Sequence, residues 1–192
     1  MKYQVTVFSN EIKCLSYIMA KKDLRHYLNG IHINAKAARL EATNGIAAMR
    51  LDISELVHDL GDGVENVVLP IEVVDYIVKN YKKHGTEILL QIDAEEGTVK
   101  IDMVTLPLMD MRGYQYPDLK RVYPAENEEF TREIKDLGFN TANITDYGKA
   151  INALNKAKFT IFAPDMFSTA SGRQCAYCKV NNAEYLLMLC RK

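Results

Sequence analysis

Cys175-x-x-Cys178 has the spacing with which chains hold zinc or run thiol–disulfide chemistry. No second such pair accompanies it, no histidine stands nearby, and the alternation around it reads as strand, so neither a metal nor any other cofactor is expected. The histidines at 26, 32, 58 and 84 show no ligand spacing. The chain has no phosphate-cradling glycine loop, no G-x-S-x-G and no H-E-x-x-H. Asp102, Asp110 and Asp118 fall in strand or turn contexts where solvent accounts for them, and the chain is not expected to be an enzyme. The remaining chemistry is cationic. Lys21, Lys22, Arg25 and His26 form one set, Lys79, Lys82, Lys83 and His84 a second, and Lys149, Lys156 and Lys158 a third. The net charge of -1 exerts no global pull on a polyanion, so any contact with nucleic acid must come from these local sets.

The chain that must position them has 192 residues, 48% hydrophobic and 26% charged, enough for one large globular domain or two small ones. The opening MKYQVTVFSNEIKC lacks the apolar run of a signal peptide, and no stretch approaches the ~20 apolar residues of a membrane span, so a cytoplasmic location is expected. Cys14, Cys175, Cys178 and Cys190 then read as reduced thiols.

One unit, reading strand, helix, three strands, recurs three times, with boundaries near Gly63 and Ala125. The first opens on the alternating Tyr3, Val5 and Val7, offers Ser9 and Asn10 as helix caps, and continues in an apolar stripe of Ile12, Leu15, Ile18 and Met19. Ile31 and Ile33 mark the next strand, and residues 40–51 supply two more, broken at Asn44-Gly45. The second runs from a strand over 64–69 into a helix at Pro70 that buries Val73, Val74, Ile77, Val78 and Tyr81. A hairpin follows over 87–92 and Val99, Ile101 and Met103, turning at Glu96-Gly97, with a third strand over 103–109. The third has a strand over 133–139, a helix with Ile144, Tyr147, Ile151 and Leu154, and strands over 159–162, 174–180 and 185–189. All three helices are expected to finish with two or more cations, so stacking them side by side is expected to gather that charge on one face.

Asp23-Leu24-Arg25-His26-Tyr27-Leu28-Asn29-Gly30, then Glu41-Ala42-Thr43-Asn44-Gly45, resembles the middle domain of the bacterial DNA polymerase III beta subunit, the sliding-clamp family, which reads D-x-R-Y-Y-L-N-G followed by A-T-D-G-H-R-L-A. Residues Tyr116 to Pro124 resemble the F-P-D-Y-R-R-V-L-P segment closing that domain. Gly138-Phe139-Asn140 leading into Ala150-Ile151-Asn152-Ala153-Leu154 is similar to the start of the second half of the family's last domain, and Tyr185 to Arg191 to its Y-V-V-M-P-M-R terminus.

The resemblance implies an α+β DNA clamp fold of one and a half clamp domains: a complete domain over 1–124 and, over 125–192, the C-terminal half of the last. It further implies a DNA replication processivity factor. Family clamps close head to tail into six-domain rings with helices facing duplex DNA. Their partners, polymerase, clamp loader and repair proteins, bind by short peptides in a pocket between middle domain and tail. The matching pocket residues are Leu28, Thr43, Gly45, Ile46, Ala48, Pro117, Arg121 and Val122, with Leu186, Leu187, Met188 and Leu189, a peptide being expected to end between Val122 and Leu187. Ile46-Ala47-Ala48 replaces the family's H-R-L and Leu189 its tail proline, changes able to alter peptide binding by ~1–3 kcal/mol. Weak, sequence-independent DNA contact is expected at Lys21, Lys22, Arg25, His26, Lys79, Lys82, Lys83 and Lys149. A lone third unit would expose a sheet edge and a helix face, so a homo-oligomer is expected, a dimer through the third units or a tetrameric ring. The alternative is a peptide-binding module that never encircles DNA and acts as adaptor or competitor of a full-length clamp.

Overall fold

The computed structural model describes residues 2–53, 66–124, 130, 137–156, 161–169 and 172–191. The first unit comprises β1 (Lys2–Phe8), α1 (Ser9–Ser16), β2 (Gly30–Asn34), β3 (Arg39–Thr43) and β4 (Ala47–Asp52). The second comprises β5 (Val67–Pro70), α2 (Ile71–Asn80), β6 (Glu87–Asp93), β7 (Thr98–Ile101) and β8 (Val104–Pro107). The third has β9 (Leu137–Gly138), α3 (Thr141–Asn155), β10 (Asp165–Ser168), β11 (Gln174–Val180) and β12 (Ala183–Met188), followed by β13 (Cys190–Arg191).

The first two units trade their opening strands. β1 leaves its own unit to pair with β6, and β5 pairs with β2, both antiparallel. Neither unit is therefore closed without the other. The β2–β5 contact is so close at Gly30 that a Cβ there would lie 2.4 Å from the Leu69 carbonyl oxygen, which excludes any larger residue. The two larger sheets run β1-β6-β7-β8 and β10-β11-β12-β4-β3-β2-β5, the latter because the third unit adds β12 antiparallel to β4, and β9 pairs with β13 in a separate two-stranded sheet. The period-2 pattern sends Val5, Val7, Ile88, Leu90, Ile92, Val99 and Ile101 inward to a core shared with Ile31, Ile33, Leu40, Met49 and Leu51 of the larger sheet. Each such aliphatic side chain contributes ~1.5–3 kcal/mol by leaving water.

The helices lie beneath the sheets, α1 packing against both α2 and α3. Glu11 starts α1 by accepting the Phe8 backbone N–H at 2.9 Å. Ser9 N–H donates to the Thr86 carbonyl and its hydroxyl to the Lys83 carbonyl, both at 2.8 Å, so α1 begins where α2 has just ended. The Asn10 amide donates to Leu154 O at 3.1 Å, and α1 therefore begins beside the end of α3 as well. α1 is antiparallel to both neighbours. Asn140 caps α3 by accepting the Ala142 N–H, and Tyr147 packs on Tyr185 and Phe162 with ring centroids 4.8 and 5.2 Å apart.

Several expectations need correction. α1 stops at Ser16, and Ile18 and Met19 are buried from the turn beyond it. Met103 sits at the β7–β8 turn, 91% exposed, where the positive φ of Asp102 (51°) reverses the chain. Ile161 and Phe162 are not in a strand; Phe162 turns in to the Phe139, Tyr147 and Tyr185 rings, Pro164 follows, and the strand begins at Asp165. The apolar face of α3 is not open, because Tyr147, Ala150, Ile151 and Leu154 are buried in the core that α1 shares. The boundaries at Gly63 and Ala125, the first residues of the strands expected over 64–69 and 133–139, the start of that over 159–162, Lys158 and His58 lie outside the described residues.

Candidate functional site

The face of the larger sheet turned away from the helices carries a second apolar cluster, centred on the seam between β4 and β12. Antiparallel register sets Ala48 opposite Leu186, and both are buried with Leu28, Cys175 and Phe167. Residues 109–124 cross this face as a strap, starting from the Met109 N–H bonded to Val68 O at 3.0 Å. A short 3-10 turn at Leu119–Arg121, opened by Asp118, drops Leu119 into the cluster. Val122, Met188, Tyr27 and Tyr177 stay partly exposed above that floor, giving an apolar patch with a usable rim.

Turn chemistry positions the Ile46 edge. Thr43 Oγ donates to Ala47 O at 2.7 Å and accepts the Gly45 N–H, while Asn44 Oδ1 accepts the N–H groups of Ile46 and Ala47. Met188 N–H then bonds to Ile46 O at 2.9 Å, tying tail to turn. Gly45 has φ 87°, and a Cβ there would meet the Arg25 guanidinium at 2.6 Å. Arg25 is held in that place by a paired contact to Asp23, whose carboxyl this guanidinium holds down at about 2.

Of the expected pocket residues, Leu28, Ala48, Val122, Leu186 and Met188 share this cluster. Thr43 is buried in its turn, and Ile46, Pro117 and Arg121 are exposed around it, Arg121 paired with Asp118 at 3.3 Å. Leu187 is a correction. Strand alternation points it to the opposite face, where it is 0% exposed in the main core, and Leu189 packs against that core too. Cys175 and Cys178 likewise take opposite faces of β11, and burial pushes each thiol up to about 11. Among the described residues no group of His, Cys, Asp or Glu is placed to hold a metal.

Beneath the strap runs a row of charge that sequence reasoning missed. Register pairs His32 with Glu41, Glu41 with Arg50, Arg50 with Glu184, and Glu184 with Lys179, so a row of polar and charged side chains, with alternating signs from Glu41 to Lys179, crosses five strands and the seam between units. His32 Nδ1 lies 2.8 Å from Glu41, Arg50 is paired with Glu184, and Lys179 stands 3.5 Å from Glu184. Tyr116 stacks on His32 with centroids 4.3 Å apart, and Tyr123 covers the Arg50 guanidinium at 3.9 Å while donating its hydroxyl to Glu184 O. Burial raises the Tyr123 hydroxyl well above its ordinary value. The five polar residues look like solvated positions in sequence; only their shared register reveals them.

The cationic residues expected to share one face fall near the ends of the helices. Lys79, Lys82, Lys83 and His84 end α2 beside the start of α1, and His84 Nε2 lies 2.9 Å from Leu154 O at the end of α3. Lys21, Lys22 and Arg25 follow the other end of α1. The antiparallel helices thus divide the charge between two ends of the layer, with exposed Lys13 between them. Arg25 is neutralised by Asp23 and Lys149 by Asp146 at 3.1 Å, while His26 faces Tyr114 and the Asp110 carbonyl.

No protein-family model matches the sequence, and no curated protein does either. Solved structures do match. A DNA polymerase sliding clamp from Pseudomonas aeruginosa superposes with TM-score 0.65 at 13% identity, over 99% of this chain and 67% of its own. A DNA polymerase III beta subunit from Thermotoga maritima gives 0.59 at 16%, over 98% and 64%. A sliding clamp from Bartonella birtlesii bound to griselimycin gives 0.61 at 16%, over 99% and 66%. The fold is that of the bacterial sliding clamps, of whose length this chain spans about two thirds. No helix among the described residues is long and apolar enough to cross a membrane.

Proposed function

We propose that the chain is a sliding-clamp-like processivity factor, a non-catalytic tether that binds partner peptides at the β4–β12 seam and duplex DNA weakly along its helical layer. The observation that carries this reading is the seam itself: tail strand and turn are hydrogen-bonded together around an apolar floor of Leu28, Ala48 and Leu186 with Val122 and Met188 at its rim. An extended peptide rich in Gln, Leu and Phe, of the kind borne by a polymerase or a clamp loader, fits such a surface by burying its apolar end. The bound griselimycin of the Bartonella clamp is in keeping with a clamp surface that accepts a ligand. The domain division at about residue 124 and assembly into a homo-oligomer belong to the same proposal.

Two measurements test it. Fluorescence anisotropy with such a peptide should show saturable binding, and the absence of binding would overturn the seam assignment. Retention on closed circular duplex that is lost when the circle is cut identifies an encircling clamp. Peptide binding without that topological dependence would instead favour the adaptor or competitor reading.

A further inference from the structure

At its other end, away from Ile46 and Met188, the β4–β12 seam borders a cavity of about 580 Å³, a size within the range of small-molecule sites. Its wall comes from both the first and the third unit. Arg39, Arg50 and Lys179 supply cations to it, and Glu11, Asp52 and Glu184 supply acids. Asp52 N–H donates to Asn182 O at 3.0 Å and the Asn182 amide to Asp52 O at 3.1 Å, so the β11–β12 turn is fastened to the end of β4. Glu11 is buried with its carboxyl accepting the Phe8 N–H, and Arg50 and Lys179 both serve Glu184. Arg39 differs. Register sets it opposite Asp52, yet among the described residues its half-buried guanidinium has no hydrogen bond or ion pair.

We infer that this cavity is a binding site for a small zwitterion, a free α-amino acid or a short peptide with both ends unblocked. Arg39 selects one end of the ligand. A guanidinium carries only donors, set in a planar fork, and a carboxylate accepts two of them side by side. The balance of charge selects the other end. With Arg39 committed to that carboxylate, Arg50 and Lys179 face three acids, which leaves one negative charge for an ammonium group to complement. The same balance disfavours other small ligands: a multiply charged phosphate meets the three acids, and a polyamine meets the three cations. Phe8 and Ile53 also line the cavity and give an aliphatic side chain a wall to lie against. A ligand held between Arg39 of the first unit and Lys179 and Glu184 of the third ties the two units together, so its binding adds to the stability of the seam.

This site lies outside the clamp reading and does not depend on it. The test is titration calorimetry of the full chain with leucine, trialanine, N-acetyl-leucine, leucinamide and inorganic phosphate, each taken to about 10 mM. Leucine or trialanine should bind saturably and raise the melting temperature, the tighter of the two showing whether a free amino acid or a peptide fits better. Blocking either charge of leucine should weaken binding at least about tenfold. Arg39→Gln removes the carboxylate's partner without removing a contact of the fold, so it should keep the circular dichroism spectrum and weaken leucine at least about tenfold, and Arg39→Lys should recover part of the loss. Four results would overturn the inference: no saturation by leucine or trialanine, a blocked leucine bound as tightly as leucine itself, phosphate bound more tightly than both, or a folded Arg39→Gln that binds leucine like wild type. If Arg39→Gln does not fold, the blocked ligands decide on the wild-type chain alone.

Discussion

Leu186 and Met188 face the strap while Leu187, between them, is sealed in the main core, so a charge does different work at neighbouring positions. Leu187→Asp buries a carboxylate with no partner and should destabilise the fold by about 4 kcal/mol or more, read as a lower urea midpoint. Met188→Asp stands at a partly exposed rim and should leave the midpoint nearly unchanged, yet weaken peptide binding about tenfold or more. If both variants unfold alike, the rim is part of the core and not a binding surface. The tail run of Tyr185, Leu186, Leu187, Met188 and Leu189 is continuously apolar, which hides the alternation that separates these two roles. That is why the sequence leaves Leu187 in the pocket and the structure does not.

At the scale of elements, one acid begins a helix and one base holds a sheet seam. Glu11 accepts the Phe8 N–H at the start of α1, and its pKa is raised chiefly by burial, against the lowering effect of that hydrogen bond. An acid whose folded pKa exceeds its unfolded value binds more protons when folded, so its contribution is favourable at low pH and declines as pH rises through the folded pKa. Glu11→Gln keeps an acceptor for the cap without a charge. Thermal melts should therefore show the variant gaining on wild type as pH rises above the unfolded carboxylate value, about 4.3. Arg50 lies between Glu41 and Glu184, and Arg50→Ala would leave two largely buried carboxylates facing a gap under Tyr123. A loss of about 3–5 kcal/mol is expected in denaturant unfolding. A cost below ~1 kcal/mol would mean that water already screens the row.

At the scale of the whole molecule, alternation in β1, β6 and β7 and the apolar stripes of α2 and α3 were legible, because each depends on residues a few positions apart. The exchange of β1 and β5 and the β4–β12 seam were not, since they join residues distant in sequence through backbone bonds that leave no side-chain pattern. The same limit governs the cationic residues: their positions near helix ends were readable, but α1 running antiparallel to α2 and α3 sends Lys21 and Lys22 to one end of the layer and Lys79, Lys82 and Lys83 to the other. Eight residues of α1 span ~12 Å, close to the ~12 Å width of a major groove, so one duplex lying across the helices can meet both sets. Each lysine that neutralises a phosphate contributes about 0.9 to the slope of log affinity against log salt. Reversing Lys21 and Lys22 to Glu, or Lys82 and Lys83, should each lower that slope by about 2, and the four together by about 4, if both sets touch the same DNA. Lys149→Ala, already paired with Asp146, should change it little. If reversing Lys21 and Lys22 leaves the slope at its wild-type value while reversing Lys82 and Lys83 abolishes binding, the duplex lies against the converging ends of α2 and α3 alone and does not cross the layer.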